Sequence, residues 1–87
     1  MKKELKVTNN LGLHARVAAK IAETVRTFQC EVVLKKDGVE ADGASVLSIL
    51  ALDAPRGSLL EAEVSGQRAL ECFEALEGLF TNGFGEA

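Results

Sequence analysis

The sequence predicts an α+β open-faced β-sandwich: a four-stranded, mostly antiparallel sheet with three helices on one face, in the order βαββαβα. Three observations carry this. Two runs, Lys3–Thr8 and Ser58–Ser65, alternate apolar and polar residues, the period of a half-buried strand. Two longer runs, Ala15–Phe28 and Gln67–Phe80, repeat apolar residues at helical spacing. Between two β-rich segments stands Asp37-Gly38, a two-residue hairpin signal.

Each element follows from its residues. Lys3–Thr8 puts Leu5 and Val7 on one face, and Asn9–Gly12 reads as a loop. The helix over Ala15–Phe28 gathers Ala18, Ile21, Ala22, Val25 and Phe28 into one stripe. Cys30–Lys36 and Val39–Asp42 form the hairpin, because Gly38 accepts positive φ at no steric cost. Ser45 is a good N-cap for a short helix reaching about Leu52. The only proline, Pro55, marks the turn over Asp53–Gly57. Ser58–Ser65 turns Leu60, Ala62 and Val64 inward, and the last helix turns Leu70, Phe73, Leu76 and Phe80 inward. Thr81–Ala87 is expected to fray.

Eighty-seven residues, 47% of them hydrophobic, suit one domain over residues 1–87 with one modest core. Ten basic against thirteen acidic residues give a net charge of -3, and Trp and Tyr are absent. Nucleic-acid binding is not expected, since phosphate backbones need clustered Lys and Arg and base stacking needs aromatic rings. No run approaches the length of a membrane span, and no apolar stretch follows the basic start, so a cytoplasmic protein without membrane attachment is expected. Cys30 and Cys72 lack metal or framework spacing and are expected to be free, buried thiols. A single histidine and no P-loop leave no metal, no cofactor and no self-contained enzyme in prospect.

Chemistry concentrates at Gly12-Leu13-His14-Ala15-Arg16, where a loop becomes a helix. With His14 at the N-cap, the first-turn N–H groups of Ala15, Arg16 and Val17 lack helical partners and face an anion with the positive helix end behind them. Arg16 adds a planar donor fork matched to phosphate oxygens. Such positive surroundings favour a neutral imidazole with a lone pair free to attack phosphorus. On the residues alone, a surface histidine that merely caps the helix is the simpler explanation.

This motif, with Ala44-Ser45-Val46-Leu47-Ser48-Ile49-Leu50 some thirty residues later, resembles the HPr family, the histidine phosphocarriers of the phosphoenolpyruvate-dependent phosphotransferase system. The likeness spans the whole chain. Within the family, Asn10–Arg16, Leu50–Asp53 and the tail Leu79–Gly85 resemble the nitrogen-branch (NPr) subgroup. The resemblance implies that His14 accepts a phosphoryl group on Nδ1 from phosphorylated enzyme I and passes it to a IIA-type protein. It implies that Arg16 steadies that group, that Val46, Leu47 and Leu50 dock both partners, and that Ser45 is open to a serine kinase. A monomeric carrier without turnover of its own is the expectation. The alternative is a docking module of the same family that relays nothing. One departure stands out: Val17 occupies the position after the arginine where the family usually has proline. It forgoes a preset φ, worth about 0.4–1 kcal/mol, and keeps an N–H.

Overall fold

A computed structural model describes residues 1–86. Its strands are β1 (Lys2–Lys6), β2 (Glu31–Lys36), β3 (Val39–Asp42) and β4 (Leu59–Ser65). Its helices are α1 (Ala15–Phe28), α2 (Val46–Leu50) and α3 (Ala69–Thr81), followed by a 3₁₀ turn over Gly83–Gly85. The sheet order is β1-β4-β2-β3, and all three neighbouring pairs are antiparallel. This is the expected open-faced sandwich. The β2–β3 connection is the two-residue hairpin, with Asp37 at φ 50° and Gly38 at φ 82°, the positive pair that suits the twist of the flanking strands.

Strand alternation sorts the sheet into two faces. Leu5, Val32, Leu34, Leu60, Ala62 and Val64 point into the core, where they meet Val17, Ala18, Ile21, Ala22 and Val25 of α1. The alternate positions of the four strands form the open face, and they carry six carboxylates (Glu4, Glu31, Glu40, Asp42, Glu61, Glu63) against three lysines (Lys2, Lys6, Lys35). Lys2 pairs with Glu63 at 3.1 Å, and Lys35 spans Glu63 and Glu40 at 3.4 Å each. No phenylalanine lies on this face: Phe73, Phe80 and Phe84 are buried and Phe28 packs against the core. A base-stacking platform of the kind used by RNA-recognition sheets is therefore missing among the described residues.

Four expectations need correction. The helix α3 begins at Ala69, two residues late, and Leu70 is exposed rather than inward. At 3.6 residues per turn, Cys72, Phe73, Leu76 and Phe80 form one stripe and Leu70 falls on its flank. The tail does not fray through residue 86: Phe84 is buried against Phe80, ring centroids 4.8 Å apart, and Lys20 Nζ donates to the Phe84 carbonyl at 2.6 Å. Ala87 lies outside the described residues. Cys30 and Cys72 are not free thiols but are joined as a disulfide across 42 residues of sequence. Because α1 and α3 run antiparallel, the exit of one meets the first turn of the other, a juxtaposition that spacing could not show. No helix among the described residues is long and apolar enough to cross a membrane.

Candidate functional site

The loop after β1 is built to present His14. Asn9 is buried and closes the loop by donating its Nδ2 to the Gly12 carbonyl at 2.8 Å, while Gly12 N–H returns to Asn9 O at 3.2 Å. Leu13 is buried, and its N–H donates to Ala54 O at 3.0 Å. Gly12 sits at φ +70°, and a Cβ there would lie 2.5 Å from Ala54 O and 2.9 Å from Pro55 Cα, so only glycine fits. The chain then enters α1 with His14 as N-cap in an extended conformation (φ -83°, ψ 179°).

The imidazole does the capping. Its Nδ1 accepts from the Arg16 N–H at 3.3 Å, which satisfies one of the orphan donors of the first turn. Ala18 N–H, at 2.9 Å from His14 O, makes the first intrahelical bond, and the N–H groups of Ala15 and Val17 flank the cap in the same turn. Val17 is fully buried, so its side chain serves the core while its N–H stays with the helix end. The His14 side chain is 26% exposed and that of Arg16 is 74% exposed, so the ring can be reached from outside.

The far nitrogen has a partner the sequence did not announce. His14 Nε2 lies 2.8 Å from Glu86 Oε2 and 3.0 Å from Oε1, across 72 residues of chain. Glu86 is only 14% exposed, and it also accepts from Asn9 Nδ2 at 3.1 Å and sits 3.9 Å from Arg16 Nη1. The hydrogen bond from His14 holds the Glu86 carboxyl below the usual carboxylate range; Asn9 and the charges of His14 and Arg16 add to this, and burial opposes it. An acceptor at Nε2 and a donor at Nδ1 together select the neutral tautomer that carries its proton on Nε2 and its lone pair on Nδ1. The surroundings are thus not uniformly positive as expected, since a carboxylate faces the ring. The available clue was Phe84: an aromatic in a terminal glycine-rich segment needs a place to be buried.

The second predicted element lies alongside. Ser45 caps α2, its Oγ accepting from Ser48 N–H at 3.2 Å. Ile49 is fully buried, Val46 and Leu50 are half-buried against the core, and Leu47 is 80% exposed. The helix runs from Ala44, whose carbonyl accepts from Arg26 Nη2 at 2.7 Å, toward Ala54, which holds the His14 loop. Its C-terminal end therefore adjoins the loop, and Ser45 stands at the far end. Exposed Leu11, in the His14 loop, is a further apolar residue, and no periodicity in the sequence marks it.

Known proteins resemble this chain along most of its length. A family model for the PTS HPr component phosphorylation site (PTS-HPr) matches residues 1–82. The phosphocarrier protein NPr of Escherichia coli (strain K12) is 40% identical over 87 residues, covering 99% of this chain and 97% of that protein. The phosphocarrier protein NPr of Proteus mirabilis (strain HI4320) is 43% identical over 81 residues, 92% of this chain and 90% of its own. Among solved structures, HPr-C-His from Thermoanaerobacter tengcongensis superposes with a TM-score of 0.94 at 28% identity, over 100% of this chain and 98% of the other.

Proposed function

The chain belongs to the HPr/NPr phosphocarrier family of the phosphotransferase system, and from that premise we propose that His14 Nδ1 is the atom that carries the phosphoryl group. The observation that carries this reading is the cap itself. Nδ1 holds a lone pair at a helix N-terminus, in a partly exposed ring whose other nitrogen is engaged. Phosphorus arriving at Nδ1 replaces the Arg16 N–H as its partner. That N–H and those of Ala15 and Val17 are then free to donate to phosphoryl oxygens, with the helix end favouring the negative charge. The exposed Arg16 guanidinium supplies a bidentate donor from the solvent side.

The donor in this reading is phosphorylated enzyme I and the acceptor is a IIA-type protein. Each would dock on the apolar surface formed by Leu47 with the half-buried Val46 and Leu50, beside the His14 loop. The protein acts as a monomer, relaying the group between larger partners without turnover of its own. Ser45 has a complete structural role as a cap; its phosphorylation by a serine kinase would add roughly -2 charge at a helix start, which the helix tolerates, but at the edge of the docking surface. Weaker partner binding is the expected consequence.

The test is incubation with phosphoenolpyruvate and enzyme I, followed by intact mass. One acid-labile phosphate on the wild type and none on His14→Ala is expected. No mass gain with an active donor would leave the docking-only alternative in its place. The same assay on Ser45→Asp should run slower than on wild type; an equal rate removes the serine arm.

A further inference from the structure

Resting on that reading, we infer that Glu86 is a positioning residue for His14, held on target by Asn9, that fixes Nδ1 as the reactive nitrogen and balances the charge the ring acquires when Nδ1 bonds phosphorus. Both carboxylate oxygens lie within 3.0 Å of Nε2, so the ring is held at each nitrogen, by an acceptor on one side and by the Arg16 N–H on the other. This is the arrangement in which a carboxylate orients an imidazole and selects its tautomer.

The carboxylate is delivered by built structure. Asn9 is 2% exposed and uses its amide nitrogen twice, on Gly12 O and on Glu86 Oε1. Turning that amide over would set its oxygen against two acceptors, so the orientation is fixed. The cost is visible: Asn9 Oδ1 is buried without a hydrogen-bond partner among the described residues. Buried polar atoms are rarely left so, and here the orphaned oxygen accompanies an amide whose nitrogen ties the His14 loop to the tail carboxylate. Phe84, in the core, and Lys20, on the Phe84 carbonyl, hold the segment from the other side.

The chemistry balances without a proton transfer. The Nδ1 lone pair forms the N–P bond, and the bond from phosphorus to the donor breaks with its electron pair leaving on the donor. The ring keeps its Nε2–H and becomes cationic, and the Glu86 carboxylate sits against that charge. When the group moves on, the N–P bond breaks, the pair returns to Nδ1 and the same neutral tautomer is restored.

Two-bond ¹⁵N–¹H correlation spectra of the unphosphorylated protein, at a pH where the ring is neutral, read the tautomer without any partner. The wild type should show a proton on Nε2 only, Glu86→Gln should keep that tautomer through its amide oxygen, and Glu86→Ala, left with the Arg16 N–H as the one contact that selects it, should admit a detectable minor fraction protonated on Nδ1. Acceptance of phosphate should then fall roughly tenfold in Glu86→Ala, the lower end of what losing a ring-orienting partner costs at metal-bound histidines. Glu86→Gln should fall by less. An unchanged tautomer in Glu86→Ala, with the backbone spectrum otherwise intact, overturns the inference. A wild type that shows the tautomer but never takes up phosphate overturns the carrier reading instead and leaves the positioning contact standing.

Discussion

The two ends of α1 are tied to α3 by opposite chemistry. They stand about 20 Å apart, the length of a 14-residue helix. At the start, His14 is held by hydrogen bonds to a helix amide and to the carboxylate that follows α3. Beyond the far end, past the left-handed Gln29, Cys30 is covalently joined to Cys72 in the first turn of α3, and Arg68 stacks over Phe28 at 4.7 Å. One end is fixed by a bond and a ring contact. The other is fixed by hydrogen bonds alone. The division suits the relay proposed above, in which His14 Nδ1 changes partners while the helix behind it keeps its place.

The sharpest way to break the comparison is at Phe84, which anchors the carboxylate end. Phe84→Ala empties a fully buried site and should cost about 3–5 kcal/mol in urea unfolding. It should also release Glu86, so the minor fraction of His14 protonated on Nδ1 appears in the same spectra. Retention of the single tautomer would show that the clasp does not depend on its core anchor.

Removing the covalent tie comes next. The bond closes a long loop, and Cys30→Ser or full reduction should lower stability by about 2–4 kcal/mol. Phosphate uptake by His14 should be unchanged. If reduction slows uptake as much as loss of the Glu86 carboxylate does, the two ends are coupled through α3 and the division of labour fails.

The smallest effect is that of acid. Glu86 titrates below its ordinary value of 4.5 in the folded protein. Its contribution is therefore fully present above that value and is lost as pH falls through the depressed one. Amide exchange of residues 82–86 should quicken over that range, with residues around Cys30 unaffected. Equal quickening at both ends would signal global unfolding rather than release of the clasp.

Sequence alone was most legible where structure is local. The bounds of α1, the Asp37-Gly38 hairpin, the Ser45 cap and the placing of His14 at a helix start all follow from residues within a few positions of one another. Spacing failed where the antiparallel packing of α1 on α3 decides. It brings Cys30 to Cys72 and Glu86 to His14, over separations that no periodicity encodes. Leu70 was misplaced for a different reason: the buried stripe is centred on Cys72, Phe73, Leu76 and Phe80, and at 3.6 residues per turn Leu70 falls on its flank. The loop-to-helix residues offered the candidate nucleophile and its arginine, and family likeness favoured that reading over a plain cap, but neither pointed to the carboxylate behind them.

The open side of the sheet has an effect at distances where nothing touches. Its six carboxylates and three lysines account for the whole net charge of -3, so the remainder of the chain, the histidine end included, is neutral on balance. The molecule is therefore an electric dipole. A negatively charged protein drifting toward it is repelled by the strands and rotates it until the helices lead, so that collisions begin with the useful side forward. Raising ionic strength shortens the reach of that field to below ~8 Å and would return those collisions to random orientation.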